Sequence, residues 1–261
     1  MDTCDGLRRV AGWAKKYGGF VAGGALRSLF TASPVRDYDV FFRHKDGYSD
    51  ALQDVGNGRH PFESVLGSSM GYAVDHNVVK IMTRVGNAVE LPRVELVGFR
   101  AGEPWQVLEG FDFRFCMMAL DGDQFISERG AAAAAMSKSP SYVPFYSPKG
   151  RATQWRNPYH SHKRLRERWF AWGLDYASVE RESVGIAYDV RLLVSLLRSN
   201  QPSIDAAGGG HITDSDLYDQ AYLDERPGYD EDVRNHINSA INLLPVDTNA
   251  TRGLVWERSA L

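Results

Sequence analysis

Gly23-Gly24-Ala25-Leu26-Arg27 is followed, ten residues after its arginine, by Asp37-Tyr38-Asp39-Val40-Phe41-Phe42. The apolar residues Phe20 to Ala22 precede the glycines and have the composition of a short buried strand, and Ala25 to Phe30 contains good helix formers. The glycines therefore lie where a strand leads into a helix. Backbone N–H groups and the positive end of the helix dipole meet at such a turn, so the sequence predicts an anion site, to which Arg27 adds positive charge.

The second half of this stretch, Asp37 to Phe42, predicts a strand. Because side chains alternate along a strand, Asp37 and Asp39 share one face. Two neighbouring carboxylates repel each other and are tolerated when a cation lies between them, and their hard oxygen atoms suit Mg²⁺. Taken alone, the glycine pair is typical of a tight turn, and Asp-x-Asp is typical of a solvated loop. Their combination at this spacing favours a site for both phosphate and metal.

The run GGALRSLFTASPVRDYDV, from Gly23 to Val40, resembles the head of the tRNA nucleotidyltransferase (CCA-adding) and bacterial poly(A) polymerase family, within the polymerase-β nucleotidyltransferase superfamily. That family has a Gly-Gly-x-Val-Arg-Asp turn, a spacer of small residues and proline, and then Asp-Tyr-Asp. The spacing is kept here, and Ser28 stands where the family usually has Asp.

Two downstream segments extend the resemblance. Val94 to Arg100 looks like the family's Glu-Val-Thr-Thr-Phe-Arg strand, which places Glu95 as the third acidic residue; a lone Glu on a strand is otherwise a surface residue. Asp112 to Ala119 resembles the segment Arg-Arg-Asp-Phe-Thr-x-Asn-Ala that lines the nucleotide site, and its apolar residues also suit a plain core segment. Gly110-Phe111 replaces the arginine pair and Cys116 replaces the asparagine, while Arg114 restores one positive charge nearby.

A fourth segment, Arg164 to Tyr176, is similar to the family's neck helix. Upstream of that helix the family has a Glu-Asp-x-x-Arg template that selects the incoming base. Here His160 falls on the Asp and Lys163 on the Arg, so the resemblance does not define which base is used.

The resemblance implies a metal-dependent nucleotidyltransferase, an enzyme that moves an NMP from an NTP to an acceptor hydroxyl and releases pyrophosphate. The preferred acceptor is an RNA or tRNA 3′ end, and the alternatives are a protein or small-molecule acceptor, or a degenerate head that binds NTP without catalysis. Asp37, Asp39 and Glu95 would be catalytic and hold two Mg²⁺ ions, with Mn²⁺ as a substitute. Substrate contacts would come from Gly23, Gly24, Arg27, Asp112, Arg114, Lys163 and Arg166.

Composition is ordinary for a globular protein, with 261 residues, 43% hydrophobic and 24% charged. There is no apolar run of membrane-spanning length and no signal-peptide pattern, and there are only two cysteines, which together predict a cytoplasmic protein with no membrane partner. The net charge of −3 does not itself indicate nucleic-acid binding. The segment from Lys149 to Arg168 nevertheless mixes basic and aromatic residues, which is typical either of RNA or triphosphate contact or of a solvated helix face.

The predicted fold class is α+β: a nucleotidyltransferase head with a small mixed β-sheet carrying helices on one face, then a helical neck and a short helical C-terminal region. The corresponding domains are residues 1–122, 123–198 and 199–261, with a glycine-rich hinge at Ser199 to Gly210. Periodicity predicts helices over 5–17, within 126–138, and over 163–175 and 178–198, and short ones near 214–224 and 229–244. Strands are expected over 20–22, 37–42, 78–84, 88–91 and 94–99, and Val184, Tyr188 and Leu192 are expected on a packed stripe of the 178–198 helix.

Overall fold

A computed structural model describes residues 3–62, 70–75, 78–85, 88–143, 158–209, 211, 239–240 and 255–260. The chain forms two compact units, one made of Met1–Ser141 with Leu254–Leu261 and the other of Tyr142–Gly253. The domain boundaries proposed from the sequence, after residues 122 and 198, stay predictions. The short helices expected near 214–224 and 229–244 lie outside the described residues, apart from 239–240, which are helical.

The first unit is a mixed β-sheet with several helices, which confirms the predicted α+β class. In chain order its elements are α1 (Thr3–Lys15), β1 (Gly19–Ala22), α2 (Gly24–Thr31), β2 (Asp37–Phe42), α3 (Lys45–Gly56), β3 (Met70–Asp75), β4 (Val78–Val85), β5 (Ala88–Ala101), α4 (Pro104–Leu108), a 3₁₀ turn (Arg114–Cys116), β6 (Met118–Asp121), β7 (Gln124–Glu128), α5 (Ala131–Met136) and β8 (Trp256–Ala260).

The eight strands lie in the order β3-β4-β5-β2-β1-β6-β7-β8. Among their pairings, β2 with β5 is parallel and the others are antiparallel. The parallel pair matters most for the site, because it brings two strands that are distant in sequence side by side in one direction. β2 has the bounds predicted from its alternating pattern.

The two faces of the sheet are covered differently. On one face, a Cβ built on Gly19 would lie 3.0 Å from the backbone oxygen of Ala14, so α1 packs directly on the backbone of β1 and leaves room only for glycine. On the other face, Phe20 and Phe41 join a buried cluster with Val107 and Leu108 of α4. The sequence predicted helices on one face of the sheet only, whereas the short helix α4 also covers part of the other face.

Several boundaries differ from the sequence-based expectation. The strands predicted over 88–91 and 94–99 form one strand, β5, which continues through Pro92. The register of β5 against β4 shifts between Ile81 and Thr83 of β4. Such an irregularity accommodates Pro92, because proline has no N–H to donate to a neighbouring strand. Ile126 lies in β7, so the helix expected to begin there starts only at Ala131. Strands β3, β6, β7 and β8 were not predicted.

The second unit contains α6 (Pro158–Arg168) and α7 (Tyr176–Ala206). The side chain of Asp175 caps α7 by accepting a hydrogen bond of 2.6 Å from the backbone N–H of Ser178. The helix continues through Pro202 to Ala206, so the hinge expected to begin at Ser199 is helical over its first residues. Gly208, with φ of +76°, follows the helix end and supplies the left-handed conformation that often terminates helices.

The packed stripe predicted on α7 is wrong, because the buried side chains lie at other positions of the helix. Val184 and Tyr188 are exposed, whereas Ile186, Leu193 and Leu197 are buried. Within the part of the chain that the structure describes, no helix is both long enough and apolar enough to cross a membrane.

Candidate functional site

The glycine turn joins β1 to α2 with a backbone conformation that requires glycine. Gly23 has φ of 87° and ψ of −129°, a region that residues with a Cβ avoid. Its N–H donates to the Met118 oxygen at 2.9 Å, and its carbonyl accepts from the N–H groups of Leu26 and Arg27 at 3.1 and 3.2 Å. The turn is thus fixed to the sheet on one side and to the first turn of α2 on the other. Ser28, at the family's Asp position, is buried and donates to the Gly24 oxygen at 3.1 Å.

Both aspartates face this turn. A Cβ built on Gly24 would lie 3.8 Å from Oδ1 of Asp37, and one built on Gly23 would lie 3.8 Å from Oδ2 of Asp39. The structure therefore brings the two halves of the sequence motif together, with each glycine next to a different carboxylate. Any side chain at either glycine would extend toward these oxygen atoms.

Glu95 joins the aspartates through the parallel pairing of β2 with β5. Its Cα lies opposite that of Asp39, and the Cα of Arg93 lies opposite that of Asp37. Residues paired in register point to the same face of a sheet, so all four side chains share one face. On the other side of β5, Lys80 of β4 lies opposite Glu95 and adds a second basic residue to that face.

Arg93 connects two of the three carboxylates. Its Nη2 lies 3.3 Å from Oδ2 of Asp37 and 3.0 Å from Oε1 of Glu95. The side chains involved are only partly exposed, by 26% for Arg93, 24% for Asp37 and 14% for Glu95. One guanidinium nitrogen therefore lies between carboxylates from two neighbouring strands, and it offsets part of their mutual repulsion.

The donor set can be compared with the requirements of a divalent cation. Three carboxylates on one face supply the hard oxygen atoms that Mg²⁺ and Mn²⁺ prefer. Among the described residues, however, no group of three or more His, Cys, Asp or Glu side chains is already arranged to hold a metal ion. In this arrangement Nη2 of Arg93 lies against an oxygen atom of Asp37 and one of Glu95, where a shared cation would otherwise bind. The three carboxylates therefore fit a divalent ion in the chemistry of their oxygen atoms, and Asp37 and Glu95 are both in contact with Arg93.

Arg27 lies beneath the turn rather than on its outer surface. It is 6% exposed, and its Nη2 would be 4.0 Å from a Cβ on Gly24. Its Nη1 lies 3.8 Å from Sγ of Cys116, and the centre of its guanidinium lies 5.2 Å from the centroid of the Phe115 ring. The 3₁₀ turn thus holds a cationic group close to the predicted phosphate position, and it does so with the residue that replaces the family's asparagine.

Phe111 occupies the region where the family has an arginine pair. The Cε2 atom of its ring would be 3.1 Å from a Cβ on Gly23, and the ring centroid is 6.0 Å from that of Phe41. An apolar ring therefore packs against the turn from the side of the core cluster. This replaces positive charge with a close steric contact, which leaves Arg27 as the described arginine nearest to Gly24.

Asp112 and Arg114 follow this ring closely in the sequence. Asp112 is buried, with 6% exposure. Nε of Arg114 lies 3.2 Å from Oε2 of Glu128, a distance short enough for an ion pair, although the angle is poor for a hydrogen bond. Burial raises the pKa of Glu128, and the charge of Arg114 opposes this rise. The positive charge of Arg114 is therefore directed at Glu128.

Lys163 and Arg166 lie on α6, in the second unit, and both are exposed. Nζ of Lys163 lies 3.6 Å from Oε1 of Glu167, one turn along the helix. Arg164 packs instead against Trp172, with its guanidinium 5.9 Å from the ring centroid. The His160 side chain is outside the described set. These residues belong to the second unit, whereas the three carboxylates belong to the first.

Comparison with known protein families gives a match over the N-terminal half of the chain. Residues 2–138 match the family model described as Gabija anti-defense 2 (Gad2) family protein, which is more than half of the chain. The chain belongs to the Gad2 family. The matched residues include the glycine turn, both aspartates, Arg93 and Glu95. No match was found among curated proteins.

Solved structures similar to this Gad2 family member share little sequence with it. A "tRNA-processing enzyme with CTP" has 15% identity and a TM-score of 0.42, covering 70% of this chain and 47% of its own. An apo "tRNA-processing enzyme" has 18% identity and a TM-score of 0.39, covering 72% and 49%. The Thermotoga maritima CCA-adding enzyme complexed with tRNA has 11% identity and a TM-score of 0.40, covering 90% and 65%. The chain spans about half the length of the first two, and at these TM-scores the similarities carry no functional argument.

Two residues of the Gad2 family member's site were missed by sequence reasoning. Arg93 is two residues before Glu95, so the period of a strand places both on one face, and this signal was available. Its contact with Asp37 depends on the register of β2 against β5, for which the sequence gives no signal. The sequence identifies Phe111 only as the replacement for an arginine, and its packing against Gly23 follows from the fold.

Proposed function

We propose that the chain is a metal-dependent nucleotidyltransferase that moves an NMP from an NTP to an acceptor hydroxyl, and that this reaction acts against the Gabija system. One observation carries the proposal. Gly24 faces Asp37 and Gly23 faces Asp39, while Asp39 lies opposite Glu95. A phosphate-binding turn and three carboxylates on one face are the groups that nucleotidyl transfer requires.

In this proposal, each part of the site has a separate role. The N-terminus of α2 after Gly23 and Gly24 attracts the β- and γ-phosphates, and buried Arg27 adds fixed positive charge beneath them. Asp37, Asp39 and Glu95 hold Mg²⁺ or Mn²⁺ and orient the reacting oxygen atoms. Two bound divalent ions would activate the acceptor hydroxyl and stabilise the leaving pyrophosphate.

The proposed acceptor is an RNA 3′ end, as the sequence resemblance suggested. Basic residues spaced along α6 support it, because they attract a phosphate backbone: Lys163, Arg164, Arg166 and Arg168. The family description supports another acceptor, a hydroxyl on a Gabija component, since such a modification would act directly on that system. Asp112 and Arg114 remain proposed as secondary substrate contacts.

A second candidate function is a non-catalytic head that binds a nucleotide or a Gabija component without transfer. The contact of Arg93 with both Asp37 and Glu95 favours it, because a permanently held arginine would neutralise the carboxylates without any metal. The two candidates differ in whether the carboxylates are needed for a chemical product or only for folding and binding.

The test combines labelled NTPs with defined acceptors. The purified protein is incubated with Mg²⁺ and each α-labelled NTP, together with total RNA or with purified Gabija proteins, and products are separated by size and by nuclease or protease sensitivity. Asp37→Asn and Asp39→Asn should remove all label, whereas Asp123→Asn, at a carboxylate exposed by 85%, should leave it unchanged. Labelled RNA supports the first acceptor, and labelled protein supports the second.

The same variants separate catalysis from binding in cells. Expression of the chain beside an active Gabija system should suppress that system, and Asp37→Asn should abolish the suppression. If Asp37→Asn suppresses Gabija as well as the parent chain does, and no acceptor is labelled in vitro, the catalytic proposal is wrong and the binding module takes its place.

A further inference from the structure

We propose that Arg93 is an internal cation that competes with divalent metal for Asp37 and Glu95, so that metal enters the site only when this arginine withdraws. The inference rests on the proposed function and concerns the regulation of the same site. It starts from the position of one nitrogen atom, Nη2, within hydrogen-bonding distance of carboxylate oxygens on both β2 and β5.

The backbone places Arg93 at this position. Its N–H donates to the oxygen of Arg36 at 2.9 Å, which fixes the register of β5 beside Asp37. Its own side chain then points to the same face as Glu95, two residues further along the strand. Arg93 therefore lies on the same strand as one proposed ligand, Glu95, and directly opposite another, Asp37.

Competition between Arg93 and a metal ion depends on movement of the Arg93 side chain. A guanidinium is a planar group with several N–H donors and no acceptor, so Arg93 gives up its contacts with Asp37 and Glu95 only when its side chain changes position. A metal ion that used both carboxylates would have to replace the charge-assisted contacts of Nη2. The 26% exposure of the Arg93 side chain leaves it a path toward solvent, while Glu95 stays largely covered.

Two other basic residues near this face, Lys80 and Arg27, occupy different positions from Arg93. Lys80 lies opposite Glu95 on β4, on the side away from Asp37, and Arg27 lies under Gly24. Arg93 contacts carboxylates on both strands, Asp37 on β2 and Glu95 on β5. Removing its charge should therefore change metal affinity more than removing the charge of Arg36, whose side chain is exposed.

The test measures Mn²⁺ binding directly, without activity. Mn²⁺ affinity of the purified full chain is measured by electron paramagnetic resonance and calorimetry for the parent, Arg93→Gln, Arg93→Lys and the control Arg36→Gln, whose side chain is exposed. Arg93→Gln should bind Mn²⁺ about tenfold more tightly than the parent, because a charge-assisted pair no longer has to be broken. Arg93→Lys should be intermediate, and Arg36→Gln should match the parent.

Thermal unfolding provides a second measurement, because a purely structural role of Arg93 would not change the rise in melting temperature that Mn²⁺ causes. In EDTA, Arg93→Gln should melt below the parent because Asp37 and Glu95 repel each other, and saturating Mn²⁺ should raise its melting temperature more than that of the parent. If the parent binds Mn²⁺ and Arg93→Gln binds it no more tightly, the competition is refuted while the proposed function survives. If no variant binds Mn²⁺ at millimolar concentration, the metal-dependent function and the competition are both wrong.

Discussion

Replacing Gly23 with alanine tests the geometry of the turn more directly than any other single change. The backbone there has φ of 87° and ψ of −129°, which lies outside the left-handed helical region that alanine can still adopt. Holding a residue with a Cβ in such a region costs roughly 1–3 kcal/mol. The new Cβ would also lie 3.1 Å from Cε2 of the partly buried Phe111, and moving that ring adds about 1 kcal/mol.

We therefore expect Gly23→Ala to lower the free energy of unfolding by roughly 2–4 kcal/mol, measured by urea denaturation with circular dichroism. Gly12→Ala is the matched control. Gly12 lies in α1 with nothing within 4 Å of its Cβ position, so alanine there should stabilise the protein by about 0.5–1 kcal/mol. A Gly23→Ala protein as stable as the parent would show that the turn does not have the conformation described above.

Three further predictions use neighbouring features. Gly24→Ala should keep the parent's stability, because its Cβ meets its nearest atoms at 3.8 and 4.0 Å, yet it should weaken binding of a fluorescent NTP; unchanged NTP binding would remove Gly24 from the site. Burial and Asp54 raise the pKa of Tyr17 to about 12, so its contribution to stability is complete below pH 10 and is lost as pH rises through 12. Tyr17→Phe should lower the free energy of unfolding by about 1 kcal/mol at neutral pH and abolish the loss of stability at high pH, both measured by urea titration. A loss of stability at high pH that persists in this variant would contradict the role of the hydroxyl. Burial raises the pKa of Glu128 above 4.5, so the folded state favours its proton and stability falls as pH rises above that value; Glu128→Gln should reduce this fall, and an unchanged pH profile would contradict it.

The parts of the site that depend on local sequence were predictable. The alternation in Asp37 to Phe42 predicted a strand with both aspartates on one face, and β2 has those bounds. The glycine pair predicted the tight turn between β1 and α2, because few other residues can end a strand and begin a helix within one turn. In each case a short segment contains all the information that its structure needs.

The parts that depend on pairing between distant segments were not predictable. The partner of Asp39 is set by the parallel register of β2 and β5, and the same register brings Arg93 to Asp37. The stripe on α7 shows a related limit. A helical period identifies several candidate faces, and only packing decides that Ile186 and Leu193 are buried while Val184 is exposed.

Strand β8 gives the first unit a particular order of assembly. Trp256 pairs with Glu128 of β7, and the whole second unit lies between them in the chain. During synthesis the strands from β1 to β7 emerge together, but β7 must wait for its outer neighbour until Tyr142–Gly253 has also left the ribosome. Over that interval β7 is paired with β6 on one side only, and its outer edge is open to pairing with other nascent chains. Closing so long a loop makes this pairing a late step, so the yield of folded protein should depend on how fast the second unit compacts.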